Sequence, residues 1–216
     1  MRELPLFPLN TVLFPGMPLR LHIFEERYKQ MIAYCRQTGQ PFGVALIRSG
    51  EEVGDKAEPH MIGCAAYITQ IESLAGGRLN IAAVGVERFA LQSLQFDRPY
   101  LVGLVEDYPL ALTAPEQAEA ASQIVRGWVR RYLDILSKTS DTPLDLQQLP
   151  AEPLKLAYLA AFLLQIPMPQ KQELLAVERL DDLLAGLRRI YRRETTLLQA
   201  MVTKEEAPIT GPFSPN

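Results

Sequence analysis

Ten of the thirteen glycines in this chain lie within residues 1–112 and only three in the remainder. Glycine is used where the backbone must turn left-handed or pass close to another backbone. In a helix interior it costs about 0.5–1 kcal/mol relative to alanine. The asymmetry predicts an α+β chain in which a β-rich part, residues 1–112, precedes a helical part, residues 113–204. A tail over 205–216, with Pro208, Pro212 and Pro215, is expected to be disordered.

The hydrophobic periodicity agrees. Phe42–Ile47 is an apolar run of strand length, and Ile62–Leu74 and Arg78–Val86 flank Ala75-Gly76-Gly77 as a hairpin would. Phe89–Phe96 alternates with one slip, and Leu101–Val105 is another short run. Strands at such close spacing, with few helices between them, suit a small, partly closed barrel or a sandwich better than a parallel α/β sheet. One helix interrupts them: from Glu25 to Thr38, Tyr28, Met31, Ile32 and Cys35 share a face, Glu25 and Glu26 sit in the first turn, and Gly39 follows as a stop.

After Pro109 the texture is helical. Pro115 suits the first turn of a helix to about Ser137. Lys138–Pro150 reads as a polar connection, and Leu154–Ile166 as a buried helix ended by Pro167 and Pro169. A short helix is expected over 171–176, and a long one from Val177 to about Val202 striped by Leu180, Leu183, Leu184, Leu187, Tyr191 and Leu198. No repeat of 20–50 residues is visible.

Several chemistries lack their residues. Two histidines (His22, His60) and two cysteines (Cys35, Cys64) are scattered, against the clustered four ligands of a structural zinc site. There is no phosphate-binding Gly-x-x-x-x-Gly-Lys-Ser/Thr loop, no Gly-x-Ser-x-Gly elbow, no His-Glu-x-x-His and no Gly-x-Gly-x-x-Gly. The sequence thus points to no enzyme, no metal and no cofactor. His22, followed by Glu25 and Glu26, is the one candidate general base, but it lacks an evident nucleophile.

The formal net charge is −3, and the two parts carry 10 Lys/Arg against 12 Asp/Glu and 12 against 13, so neither is a basic domain. The local exception is Arg188, Arg189, Arg192 and Arg193 around Tyr191, the only foothold for a nucleic-acid reading. The uncharged runs 4–19 and 156–170 are too short and too proline-broken to span a bilayer, and no signal peptide is apparent. With two lone cysteines, a cytoplasmic protein is expected.

The leading segment, Leu4 to Leu19, is dense in apolar side chains and carries Pro5, Pro8, Pro15 and Pro18. Lacking an N–H at each proline, it is not a central strand along its whole length. It is expected to pair at an edge and to bend near Pro15-Gly16, leaving some of Phe7, Phe14 and Met17 on a groove or partner surface.

The chain also resembles a known family. The stretches are Leu4-Pro5-Leu6-Phe7-Pro8-Leu9, Phe14-Pro15-Gly16-Met17, Leu21-His22-Ile23-Phe24-Glu25 with Arg27-Tyr28, Phe42-Gly43-Val44, Ile62-Gly63-Cys64-Ala65-Ala66, Val84 to Phe89, Pro99-Tyr100-Leu101 and Ile166-Pro167-Met168 with Lys171 to Leu175. In order and spacing they resemble the N-terminal substrate-binding domain of the ATP-dependent Lon proteases, and more closely the stand-alone bacterial proteins built on that domain. Glu26 departs from a proline frequent there, which concerns only a helix start. The resemblance implies a small PUA-like β-barrel with one inserted helix, followed by a helical bundle. It implies a non-catalytic module for exposed apolar segments of unfolded polypeptide, with a separate protease as a further partner, and no ATPase or Ser–Lys peptidase part. The polypeptide-binding candidates are Phe7, Phe14, Pro15, Met17, His22, Phe24 and Met168. The rival reading is an RNA-binding module of PUA-like type, using the arginine cluster.

Overall fold

The computed structural model describes residues 1–50, 57–112, 114–139 and 149–206. Strands β1 (Arg2–Leu9) and β2 (Pro18–Ile23) precede helix α1 (Glu26–Thr38). Then come β3 (Phe42–Ser49), β4 (Glu58–Pro59), β5 (Ile62–Ser73), a 3₁₀ turn over Ala75–Gly77, β6 (Leu79–Gln95) and β7 (Val102–Asp107). Four helices follow: α2 (Pro115–Thr139), α3 (Pro153–Leu163), α4 (Met168–Ala176) and α5 (Leu180–Glu206). The expected α+β order is present, strands first. The expected connection over 138–150 lies mostly outside the described residues. So does the expected tail from 207 onward, its first two residues, 205 and 206, being the end of α5.

Helix α1 shows how local chemistry sets an element. Tyr28, Met31, Ile32 and Cys35 are its buried face, Glu25 precedes it in extended conformation, and Gly39 leaves it at φ 68°. That left-handed angle is open to glycine at no steric cost.

The sheet runs β1-β7-β6-β5-β3-β4, and β2 pairs with β6. The runs 78–86 and 89–96, read above as separate, form one 17-residue strand. β6 bends instead of breaking, with register shifts against β5 and β7, as bulges allow. Its first part, 79–84, lies between β2 and β5, and its last part, 89–95, pairs with β7 and runs past the end of β5's pairing at Ala90. β1 pairs antiparallel with β7 through residues 2–5 and parallel with β3 through residues 6–9. The sheet is therefore rolled, in the partly closed manner that the strand spacing predicts: its edges meet through β1 half a strand at a time. The prolines explain the split. Pro5 and Pro8 offer no N–H, so neither could sustain a ladder on both sides.

The leading segment divides between two cores. Phe7, Leu9 and Leu13 pack with the buried face of α1 and with Ile23, Phe42, Cys64 and Tyr100. Val12 and Phe14 instead join the core built by the helices. Where it crosses β6, the Gly16 amide donates to the Gly85 carbonyl at 2.8 Å and the Gly85 amide to Met17 at 3.0 Å. A Cβ on Gly85 would lie 2.5 Å from the Phe14 carbonyl oxygen. Glycine is required there because two backbones touch.

In the helical part α2 packs along α5, and α3 is buried on several sides through Leu156, Ala157, Tyr158, Ala160 and Ala161. The fully buried Tyr191 meets the Tyr132 ring edge-on at 5.2 Å and donates its hydroxyl to the Ala160 carbonyl at 2.8 Å. A buried hydroxyl needs such a partner.

Three side chains tie the two parts together. Buried Arg88 of β6 donates Nη1 to the carbonyls of Leu175 (2.5 Å) and Val177 (2.6 Å), with its guanidinium 4.7 Å above the Tyr108 ring. The Tyr108 hydroxyl donates to Ala176, and Gln172 Nε2 to the Ile62 carbonyl at 2.9 Å. Each meets a carbonyl left over at the end of a helix or strand.

Candidate functional site

Three of the seven polypeptide-binding candidates converge. A concavity of about 230 Å³ lies beside β2, lined by Phe7 and Leu9 of β1, by Arg20 to Phe24, and by Glu25 and Tyr28 at the start of α1. At its floor the Phe7 and Tyr28 rings stack with centroids 3.9 Å apart and planes 19° apart. Phe24 stands at its rim, 52% exposed although it is a large apolar side chain. Strand alternation explains the contrast: Ile23 points into the core, while His22 and Phe24 do not. Arg27 lies 4.5 Å above the Tyr28 ring and pairs with Glu25 at 2.9 Å, fixing the corner between β2 and α1.

The other four candidates lie elsewhere. Phe14 is fully buried in the helical core, its ring 6.4 Å from that of Tyr158. Pro15 is half-buried. Half-buried Met17 packs against both cores, and Met168, at the start of α4, against the helical one. None of the four lines this concavity.

A neighbouring hollow of about 300 Å³ shares Tyr28 and is lined by Pro8, Arg27, Phe96, Arg98 and Tyr100, among others. Phe96 is 75% exposed, and Arg98 lies over the Tyr34 ring and reaches the Tyr100 hydroxyl at 3.3 Å. The sequence reading did not single out Arg20, Leu21 and Phe96, nor buried Leu9 and Tyr28, as residues lining these hollows. Tyr28 counted only as one position of a helical stripe, and Phe96 as one beat of a strand's alternation.

His22 is exposed and its Nδ1 lies 2.9 Å from Asn80 Oδ1, while Asn80 Nδ2 donates to Glu72 at 3.1 Å. All three line an open hollow of about 510 Å³ with Arg20, Leu21, Gln70, Ile81 and Ala82. That lining has no hydroxyl or thiol, so His22 has nothing there to activate as a nucleophile. Both cysteines are buried, and burial pushes their thiols up to about 11 for Cys35 and about 12 for Cys64. They stay protonated, as structural cysteines do. Among the described residues no group of three or more His, Cys, Asp or Glu is placed to hold a metal ion.

Of the arginine cluster, Arg188, Arg189 and Arg192 line a shallow hollow of about 370 Å³ between α2 and α5, with Ala121, Ile124, Asp181, Leu184 and Ala185. Arg193 faces elsewhere, pairing with Glu194 at 2.7 Å and donating to Gln170 at 2.9 Å.

Comparison with known proteins places the chain in a family. The model of the ATP-dependent protease La (Lon) substrate-binding domain matches residues 3–192. The chain belongs to that family. Among curated relatives, the Lon protease of Porphyromonas gingivalis is 25% identical over 195 residues, 88% of this chain and 23% of that protein. The Lon protease of Brevibacillus choshinensis is 26% identical over 203 residues, 92% of this chain and 26% of that protein. The chain thus spans about a quarter of the length of the curated relatives it matches. Among solved structures, a Lon N-terminal domain protein from Xanthomonas campestris superposes with a TM-score of 0.62 at 27% identity, covering 87% of this chain and 97% of that one. The N-terminal domain of the Mycobacterium avium complex Lon protease superposes with a TM-score of 0.68 at 18% identity, covering 90% and 98%, and shares the fold. What is matched is the substrate-binding part of Lon. Within the described residues, no helix is long and apolar enough to cross a membrane.

Proposed function

We propose that this chain is a non-catalytic module that engages exposed apolar segments of polypeptide, and that its contact surface is the concavity between β2, β1 and α1, with Phe24 at its rim. The observation that carries the reading is an exposed phenylalanine over an apolar floor, Phe7 stacked on Tyr28, in a chain of the Lon substrate-binding family. Phe96 in the adjoining hollow extends the apolar surface past Tyr28. Two exposed phenylalanines, Phe24 and Phe96, beside hollows lined by Arg20, His22, Glu25 and Arg27 are large apolar side chains left to a partner. Buried, unpaired Cys35 and Cys64 go with a reducing, cytoplasmic setting, and a separate protease that receives the bound polypeptide completes this reading.

The test is fluorescence anisotropy with a labelled, reduced and carboxymethylated model polypeptide. The wild-type protein binds it, and Phe24→Asp binds at least about tenfold more weakly with an unchanged melting temperature, since loss of one buried aromatic anchor costs about 1.4 kcal/mol or more. Equal binding by a folded Phe24→Asp protein overturns this placement of the surface.

One observation favours the second reading, RNA binding. Arg188, Arg189 and Arg192 share one face of α5 and make no ion pair among the described residues. RNA binding that weakens steeply with salt and is lost in Arg188→Glu/Arg192→Glu would establish it. Binding that is absent or indifferent to salt removes it.

A further inference from the structure

β2 is an edge strand: among the described residues it pairs with β6 alone. All six of its residues pair with residues 79–84 of β6, whose other side is taken by β5. Among the described residues, no backbone group of 18–24 makes any further backbone hydrogen bond; the nearest such contacts are at Met17 and Glu25. Natural sheets blunt such edges with prolines, charges or bulges, or cover them. Here Pro18 stands only at the strand's start, Arg20 is the one charge, and the register against β6 runs without a bulge. Beside the strand lies the concavity floored by Phe7, Leu9 and Tyr28. Leu19 and Leu21, on the core-facing side of β2, remain half-buried and short of full cover.

We infer that this chain takes polypeptide by strand addition: an extended segment pairs its main chain with the open edge of β2 and places alternate apolar side chains over Leu19, Leu21 and the Phe7–Tyr28 floor. The inference deepens the polypeptide-binding reading and rests on it. The occupant follows from what the edge lacks. A row of unpaired N–H and C=O groups is matched by another extended backbone, and successive residues of an added strand alternate between the two faces. One set meets the apolar floor. The other lies beside Arg20 and His22, where Arg20 is exposed and makes no ion pair among the described residues, so a carboxylate is favoured there. The preferred ligand is therefore an unfolded segment with apolar residues at every second position and an acidic residue between them. Main-chain pairing reads no particular sequence, which suits a module that must accept many unfolded chains.

The experiment leaves the protein unaltered. A short synthetic peptide alternating valine with threonine and glutamate is compared with two N-methylated versions, one methylated at odd positions and the other at even positions, by titration on the wild-type chain. Strand addition uses the amides of one set only. One methylated series should lose about tenfold or more in affinity, from several missing hydrogen bonds, while the other stays within about twofold of the parent. Amide hydrogen exchange over Leu19–Ile23 should slow when the parent peptide is bound. Two methylated series that bind as the parent does, or that lose affinity equally, overturn strand addition. If the parent peptide fails while the carboxymethylated polypeptide still binds, strand addition alone falls. If both fail, the reading beneath it falls as well.

Discussion

A Cβ added to Gly43, Gly63, Gly85 or Gly103 in the β part would sit 2.4 to 2.7 Å from a neighbouring atom. At Gly127 in α2 it would meet nothing within 4 Å, and at Gly186 in α5 only Leu174 at 3.5 Å. At Gly85 the leading segment's backbone, at Gly63 the Val44 carbonyl and the Phe89 ring, and at Gly43 and Gly103 the side chains of Leu4, Leu6, Phe89 and Leu91 leave no room for a Cβ. The other two sit in helices whose spacing is set by the side chains between them. The β part is therefore specified at these positions by space too tight for a Cβ, against backbone at Gly63 and Gly85 and against core side chains at Gly43 and Gly103, and the helical part by which side chains fill its core. The same chemical change should have opposite signs in the two.

The largest effect expected from this contrast is at the place where the leading segment enters the helical core. Phe14→Asp puts a carboxylate without a partner at a fully buried site. It should cost more than about 4 kcal/mol, enough to abolish a cooperative thermal transition. Phe24→Asp, ten residues on and exposed, should move stability by no more than about 0.5 kcal/mol in the same calorimetric scan. Gly85→Ala drives a methyl against the Phe14 carbonyl and should cost about 3 kcal/mol in urea unfolding. The same substitution at Gly127 should add about 0.5–1 kcal/mol. If Gly127→Ala destabilises the protein, or Gly85→Ala does not, the contrast between the two parts is wrong.

Arg88→Met tests the junction. It keeps the packing of the stem but leaves the Leu175 and Val177 carbonyls unpaired, for an expected loss of about 2 kcal/mol. Unfolding that is no longer a single transition would be further evidence that Arg88 couples the two parts.

The smallest effect is a matter of pH. Burial raises the Cys64 thiol from an ordinary 9.0 to about 12. Between those values the folded chain holds a proton that the unfolded chain releases. The contribution is therefore complete below pH 9 and declines as pH rises toward 12. At pH 9 the loss is roughly 0.4 kcal/mol. Cys64→Ala should show a flatter decline in stability between pH 8 and 10 than the wild type, whatever its offset at pH 7.

The same contrast explains which features could be read from the sequence. Helix α1 and its Gly39 stop, the hairpin around Ala75-Gly76-Gly77 and the stripe of α5 are local patterns, complete within a few turns of chain. The family resemblance was legible because its motifs keep their order and spacing through most of the chain. The fate of the leading segment was not. Phe7, Phe14 and Phe24 are equally apolar, yet the first is buried in the core behind β2 at the base of a concavity, the second is buried in the helical core and the third is exposed. The difference is made by partners distant in sequence: Tyr158 for Phe14, and β6 for β2, whose pairing leaves the outer edge bare. The length of β6 was hidden for a related reason. Its bulges interrupt the alternation that marks a strand, so one long element reads as two. His22 shows the reverse error: a rare residue type draws attention, but its partner is Asn80 and the hollow around it holds no nucleophile.

The central claim is that polypeptide is taken up along β2 and the start of α1 and not along the arginine-lined face of α5. Its most direct test is amide chemical-shift mapping of the wild-type chain titrated with the reduced, carboxymethylated polypeptide. The account predicts perturbations concentrated at Leu9, Arg20 to Phe24 and Tyr28, with residues 184–192 unmoved. Perturbations confined to Ile124, Ala185 and Arg188 to Arg192, with β2 silent, would contradict it.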